Sequence, residues 1–158
     1  MDQLSLANPV FAAYAIAAAL MVLKIMLQGW ISVARMMATN AGLVNPEDAK
    51  AGLANPKPHP GQLDLNEDVD RSRRIHRNDL ENIPAFLAIG LLFVLIGPPL
   101  AAAQWLFYGF VAARLLHTIA YSTAQSHEVR AVFYTIGSLI VIAMSAWVLA
   151  AAIPHVLS

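Results

Sequence analysis

Four long apolar segments constrain the fold of this chain more than any other feature of its sequence. They lie at 9–34, 83–97, 99–121 and 131–153. The last segment carries no charged residue, and about 20 apolar residues in a helix are enough to cross the hydrocarbon core of a bilayer. A soluble domain of 158 residues has little interior in which to bury such a run. A membrane-spanning helical bundle is therefore the favoured fold, with a soluble helical bundle as the alternative.

The composition supports a membrane protein and excludes several functions. Hydrophobic residues make up 58% of the chain and charged residues 13%, whereas a soluble domain has about 25% charged residues. The net charge is zero, which gives no reason to expect a nucleic-acid partner. The chain has no cysteine, so a disulfide framework, thiolate metal ligands and a cysteine nucleophile are excluded. We predict an all-α fold, an integral membrane four-helix bundle formed by a single domain over 1–158.

The second apolar segment is too short to span a bilayer unless its helix begins upstream. Directly before it stands RSRRIHRNDLEN, at 71–82, the most charged run of the chain. A helix that includes this run would emerge from the membrane into water. We predict helices at about 9–37, 66–96, 99–123 and 128–154, joined by turns and by a long loop at about 39–65.

The basic residues predict how the bundle lies in the membrane. The long loop and the start of the second helix carry Lys50, Lys57, Arg71, Arg73, Arg74 and Arg77. Because basic residues accumulate on the cytoplasmic side of membrane proteins, the loop is expected in the cytoplasm and both termini outside. The compact, alanine-rich chain suits a bacterial inner membrane better than an internal eukaryotic membrane.

Polar residues at helical spacing predict a site inside the bundle. Arg114, His117 and Tyr121 share one face of the third helix. A cation in an apolar helix usually faces the bundle interior with a partner, for which Asp79 and Glu81 are the candidates. The second and fourth helices present further polar faces. These faces hold Arg71, Arg74, Asn78 and Glu81 on the second helix, and Arg130 and Tyr134 on the fourth.

The excess of inward-facing arginines over carboxylates favours a site for an anion. The guanidinium group offers paired donors that match carboxylates and phosphates. Lys24, in the middle of the first apolar segment, is expected to have an internal partner as well. Two simpler readings stay open, since arginines at a helix end can anchor at lipid headgroups and His117 can be a structural hydrogen-bonding residue. The five histidines are scattered without metal-ligand spacing, so no metal is expected.

Several motifs together resemble the MAPEG family, the membrane-associated proteins in eicosanoid and glutathione metabolism. The motifs are RxxRIHRNDLENIPAFLAIGLLFVLIGP at 71–98, ARLLHTIAY at 113–121, VRAVFYTIG at 129–137 and NPED at 45–48. The resemblance covers nearly the whole chain, with the segments in the family order. It implies four transmembrane helices per subunit, a homotrimer, and glutathione bound between neighbouring subunits near the cytoplasmic face.

The resemblance also implies roles for individual residues. Arg130 would stabilise the glutathione thiolate, because an adjacent cation lowers the pKa of a thiol from about 8.5. The activated sulfur would then attack a lipophilic electrophile that arrives from the bilayer. The remaining residues would bind the tripeptide: Arg74, Arg77 and Arg114 its carboxylates, Glu81 its ammonium group, Asn78 its backbone, and His117, Tyr121 and Tyr134 other polar atoms.

Two branches of the family resemble this chain, so more than one function is carried forward. DLEN and the dipeptide that begins with Arg130 resemble microsomal glutathione transferase, whereas IHRND resembles microsomal prostaglandin E synthase. The synthase carries a serine directly after the arginine that matches Arg130, and here that position is Ala131. The arginine expected near the end of the first helix is displaced, with Arg35 close to its position.

A membrane-bound glutathione transferase is the expected function, with reduction of lipid hydroperoxides as a side activity. A glutathione-dependent isomerase of the prostaglandin E synthase type is the first alternative. A non-catalytic scaffold or lipid-binding protein is the second.

Overall fold

The fold consists of four long helices and two short 3₁₀ helices. The structure is a computed structural model that describes residues 3–157. The helices are α1 (Pro9–Thr39), α2 (Glu67–Leu95), α3 (Leu100–Ser122) and α4 (His127–Leu157), and the 3₁₀ helices are Pro46–Ala49 and Pro60–Leu63. No strand occurs within this described part of the chain, so the predicted all-α fold is confirmed. The largest difference from the predicted bounds is the end of α4, predicted at 154 and observed at Leu157.

Polar side chains set the ends of α1 and α2. Asn8 caps α1 by accepting a hydrogen bond from the Val10 amide, and α1 ends at Thr39, followed by Asn40 in a left-handed conformation with φ of 47°. Asn66 caps α2 by accepting from the Asp68 and Val69 amides. The acidic first turn of α2 complements the positive end of the helix dipole. The charged run and the apolar run therefore form one continuous helix.

Three of the helical segments are long and apolar enough to cross a membrane. They are Pro9–Thr39, Pro60–Leu95 and His127–Leu157. The third helix, expected to be a fourth crossing segment, is not among these three, and it carries Gln104, Arg114 and His117. The last two of these side chains are 0% and 1% exposed, so α3 presents its most polar groups to the bundle interior.

An aromatic cluster forms the centre of the core, where α1, α2 and α3 meet. The rings of Phe86 and Phe110 stack with centroids 4.1 Å apart and planes 2° apart. Phe107 packs edge-on against Phe86 at 6.1 Å. Tyr14 lies 5.6 Å from Phe107 and donates a hydrogen bond of 2.7 Å to the carbonyl oxygen of Leu87. The buried phenol hydroxyl therefore has a partner, as buried polar groups require.

Gly90→Ala is expected to destabilise the bundle because the core has no room for a methyl group at this position. A Cβ atom on Gly90 would lie 2.8 Å from Cε2 and 3.0 Å from Cδ2 of Tyr14. Overpacking of this kind costs about 1–3 kcal/mol. At 2.8 Å the clash belongs above the lower end of that range, and the cost then exceeds the roughly 1 kcal/mol that alanine gains over glycine inside a helix. Thermal unfolding in detergent measures the difference.

Gly29→Ala in α1 is the matched control for this substitution. Its added Cβ would meet only His76 Cε1, at 3.9 Å, so the melting temperature should stay unchanged or rise. A Gly90→Ala protein that melts at the same temperature as the Gly29→Ala protein would contradict the packing argument.

The loop between α1 and α2 is held by a network of side-chain amides. Gln62, 2% exposed, donates to Asn40 Oδ1 at 2.6 Å and exchanges hydrogen bonds with Asn55 at 2.8 and 3.0 Å. Arg73 on α2 donates to the carbonyl oxygen of Gly42 at 2.6 Å. Gly42 has φ of +73° and packs against Val69, which leaves no place for a side chain. The loop is thereby attached to the same end of the bundle as the start of α2.

Candidate functional site

A buried network of charged side chains joins α1, α2 and α3. Asp79 on α2 accepts a hydrogen bond of 2.8 Å from Arg114 Nη2 through Oδ1, and its Oδ2 forms an ion pair with the Lys24 ammonium group. The side chains of Arg114 and Asp79 are fully buried, and that of Lys24 is 8% exposed. Asp79, rather than Glu81, is therefore the internal partner of Arg114, and it serves Lys24 at the same time.

This network contains two cations and one carboxylate. Two further donors of Arg114, Nε and Nη1, are buried without a hydrogen-bond partner among the described residues. Charged groups in a membrane bundle are costly and usually occur at functional sites. The network therefore marks a part of the bundle whose polarity is not explained by packing alone.

Aromatic rings connect this network to the loop between α3 and α4. The Nδ1 atom of His117 lies 3.4 Å from Arg114 Nη2. The His117 ring lies 4.9 Å from that of Tyr121 and 6.2 Å from that of Tyr134. The Arg130 guanidinium stands 4.6 Å from the centroid of the Tyr121 ring, a cation–π geometry. A chain of contacts thus runs from the buried network to a half-exposed arginine at the end of the bundle.

A cavity of about 210 Å³ lies beside these rings, between α2, α3 and α4. The cavity lies close to the end of α3 at Ser122 and the start of α4 at His127. The long loop between α1 and α2 lies at this same end of the bundle. Its walls combine a cation, aromatic hydroxyl groups, two imidazoles and an amide. The lining residues are Asn78, His117, Tyr121, His127, Arg130, Ala131, Tyr134 and Thr135.

This cavity contains part of the predicted site. Of the residues predicted from sequence, Asn78, His117, Tyr121, Arg130 and Tyr134 all line it. The predicted thiolate-binding residue is therefore next to predicted tripeptide-binding residues from three helices. Such a wall offers hydrogen-bond donors and one positive charge to a small anionic ligand.

The other predicted site residues do not line the cavity. Arg74 forms an ion pair with Asp70 and lies 3.4 Å from a carboxylate oxygen of Glu67, so its charge is already balanced on its own helix. Arg114 lies behind His117, paired with Asp79.

Two residues of the predicted site, Arg77 and Glu81, lie on the surface of the bundle, as does Arg35, whose membership of the site was left open. Arg77 and Glu81 are exposed on α2, and no ion pair joins them among the residues that the structure describes. Arg35 donates to the carbonyl oxygen of Asp68 at 3.1 Å. It lines a separate cleft with Arg71, not the cavity.

Sequence reasoning missed two residues of this region and considered two others for a narrower role. Lys24 and Asp79 were considered only as partners for buried charge, and the buried network is built on them. His127 and Thr135 line the cavity and were not considered. The spacing of seven residues from His127 to Tyr134, two helical turns, could have identified the first of them. Within residues 3–157, no three His, Asp or Glu side chains come together in a way that could hold a metal ion.

The fold and the cavity define a class of protein: a multi-pass helical membrane bundle with a polar site near one end. Comparison with known proteins specifies the family. The sequence profile of the MAPEG family matches residues 13–150. The chain belongs to the MAPEG family, as its motifs predict, and it is an integral membrane protein.

Its relatives include two kinds of enzyme. The chain is 43% identical to rat microsomal glutathione S-transferase 1 over 107 residues, which cover 68% of each chain. It is 38% identical to the human protein of that name over 138 residues, covering 87% of this chain and 88% of the relative. It is 31% identical to human prostaglandin E synthase over 152 residues, 96% of each chain.

Proposed function

We propose that this protein is a membrane-bound glutathione transferase that conjugates the glutathione thiolate to lipophilic electrophiles. The observation that carries the proposal is the position of Arg130, half-exposed over Tyr121 and at the wall of the cavity with His117. The microsomal glutathione S-transferases among its relatives supply the substrate class. Glutathione carries two carboxylates, an ammonium group and a thiol, and the polar groups around the cavity match that chemistry.

In the proposed reaction, Arg130 acts on the sulfur of glutathione. A thiol with a pKa of about 8.5 is mostly protonated at neutral pH, and an adjacent cation stabilises the thiolate. The thiolate then forms a bond to an electrophilic carbon, and the leaving group departs with its bonding electrons. The apolar outer faces of the helices give a lipophilic electrophile access from the bilayer. The same thiolate could reduce a lipid hydroperoxide as a side activity. It would attack the terminal peroxide oxygen and release the lipid alcohol, and a second glutathione would react with the resulting sulfenic acid to give oxidised glutathione and water.

We propose further that the glutathione site is completed in a homotrimer. The cavity of about 210 Å³ is small, since ligand pockets usually measure about 300–1,000 Å³. Arg77 and Glu81 are exposed on α2 next to Asn78, which lines the cavity. A neighbouring subunit that covers this face would enclose both residues with the ligand, and Arg74 would lie on the same side of α2. The basic residues of the long loop favour a cytoplasmic position for this end of the bundle. The membrane would be a bacterial inner membrane, which the compact, alanine-rich chain suits.

A second candidate function is a glutathione-dependent isomerase of the prostaglandin E synthase type. The 31% identity to that enzyme extends over 96% of the chain, which favours keeping this candidate. Ala131 lies in the cavity wall beside Arg130 and has no hydroxyl group to assist the reaction. Product analysis after incubation with glutathione and an endoperoxide separates the two candidates.

The experiment that tests the proposal is an ultraviolet difference spectrum of the detergent-solubilised protein with glutathione at neutral pH. We expect a saturable thiolate band, and S-methylglutathione, whose sulfur is blocked, should bind without producing it. Addition of a small lipophilic electrophile should then consume the band and yield a thioether. Absence of glutathione binding by a folded protein would refute the enzyme proposal and favour a scaffold or lipid-binding role.

A further inference from the structure

We propose that Lys24, Asp79 and Arg114 are positioning residues that hold His117 in a single tautomer, with its Nε2–H group directed at the cavity. The inference rests on the proposed function only for the identity of the ligand, glutathione. The tautomer itself follows from the contacts of the buried network. None of the three positioning residues lines the cavity, so they would act only through His117.

The first step is the orientation of the Asp79 carboxylate. Its two oxygens have different partners: Oδ2 pairs with Lys24 and Oδ1 accepts from Arg114 Nη2 at 2.8 Å. The side chain is fully buried, so water does not compete for either oxygen. Lys24 thereby holds the carboxylate in a rotation that presents Oδ1 to Arg114.

The second step is the direction of the contact between Arg114 and His117. The Nη2 atom carries two hydrogens, one of which goes to Asp79, and it lies 3.4 Å from His117 Nδ1. A guanidinium group can only donate, so Nδ1 must accept. A neutral imidazole that accepts at Nδ1 carries its proton on Nε2, whereas an imidazolium would direct a second N–H at the guanidinium.

The third step is the orientation of the imidazole ring. His117 is 1% exposed and is flanked by Tyr121 and Tyr134, with ring centroids 4.9 and 6.2 Å away. One edge of the ring faces Arg114, and the residue lines the cavity. Nε2 is the polar atom left for the ligand. His117 would therefore donate to a carboxylate or carbonyl oxygen of glutathione and would not act as a general base.

The direct test is nitrogen NMR of the protein labelled with ¹⁵N-histidine, in detergent and without glutathione. We expect the His117 signals, assigned by their loss in His117→Gln, to be those of an Nε2–H tautomer at neutral pH. An Nδ1–H tautomer or an imidazolium would overturn the proposal. Because no ligand is present, this result is independent of whether the protein binds glutathione.

A pair of substitutions at His117 tests the donor by function. Glutamine can place an amide NH₂ where Nε2 was, whereas the shorter asparagine can reach only the position of Nδ1, next to Arg114. We expect His117→Gln to retain the glutathione dissociation constant within a few-fold and His117→Asn to raise it about tenfold, the effect of losing one hydrogen bond to a charged group. Equal losses in both variants would overturn the role of the Nε2–H donor.

Substitutions within the network test the positioning role. Asp79→Asn should mix the tautomers of His117 and raise the glutathione dissociation constant about tenfold. Lys24→Met leaves the Asp79–Arg114 pair intact and should have a smaller effect in the same direction. This variant replaces Asp79→Asn in the experiment if the Asp79→Asn protein does not fold. Ser72→Ala is the control, because Ser72 joins α2 to Gln28 and Ser32 of α1 without contacting the network. Unchanged His117 signals in both network variants would overturn the proposal.

Discussion

Arg130→Ala is expected to remove most of the conjugating activity while leaving the bundle folded. The arginine lies at the start of α4, is half-exposed, and contacts Tyr121 and the carbonyl oxygen of Ser126 rather than the core. Its loss should raise the pKa of the bound thiol by about one to two units, which corresponds to roughly 1.4–2.7 kcal/mol of thiolate stabilisation. The thiolate fraction at neutral pH, and the rate with it, should fall about 8- to 25-fold as the pKa rises towards about 8.5.

The pH dependence of this variant gives a sharper readout than the rate at one pH. Under the role proposed for Arg130, the cation should favour the thiolate in the unmodified protein, so the rate should reach its plateau at a lower pH. Without Arg130 the midpoint should move up towards the usual thiol pKa of about 8.5, and alkaline pH should restore part of the rate.

Two variants serve as controls for this experiment. Arg130→Lys should be intermediate, because it keeps the charge and loses the planar donor group. Arg71→Ala removes an arginine that pairs with Asp68 on the surface of α2 and should behave as the unmodified protein. A pH profile that is the same in Arg130→Ala and Arg71→Ala would refute the role of Arg130.

Asp79→Leu is expected to have the largest effect on stability of any single substitution in the buried network. Asp79 is the carboxylate that both Lys24 and Arg114 contact. Its removal leaves two cations close together in a dry interior, and breaking a buried ion pair costs about 3–5 kcal/mol. The loss should appear as a lower unfolding temperature in detergent and as poor recovery of folded protein from membranes.

Substitution of either cation is the matched comparison. Lys24→Met leaves Arg114 paired with Asp79, and Arg114→Met leaves Lys24 paired with Asp79, so each variant retains one neutral pair. Replacing part of a buried ionic network by an apolar side chain of similar length is often tolerated. We therefore expect both methionine variants to be more stable than Asp79→Leu. A Lys24→Met protein as unstable as Asp79→Leu would contradict this account of the network.

The helices could be predicted from sequence because their signals are local. The apolar runs are long, Asn8 and Asn66 are good caps, and the charged run of α2 has the acidic first turn of a helix start. The need of Arg114 for a buried carboxylate was also predictable, since an isolated cation in a bundle is costly. Which carboxylate pairs with Arg114, Asp79 or Glu81, was not predictable, because the answer depends on the rotation of α2 against α3.

The residues that line the candidate cavity were predictable from sequence only where they share one face of a single helix. His117 and Tyr121 on α3, and Arg130 and Tyr134 on α4, are one turn apart and line the same cavity. Arg74 forms an ion pair with Asp70, which a spacing of four residues favours, and its role towards the ligand stays a prediction. The roles of Arg77 and Glu81 stay predictions, because they depend on a surface that one copy of the chain leaves exposed.

The position of Lys24 has a consequence for how the chain enters the membrane. A single lysine at the centre of a helix costs about 2.5–3.5 kcal/mol during insertion. Asp79, which offsets this cost, lies on α2 and is synthesised 55 residues later. The first helix should therefore be held at the edge of the bilayer, or in the translocation machinery, until the second helix arrives. The two helices would then be inserted as a hairpin, and the order of synthesis would become part of the folding pathway.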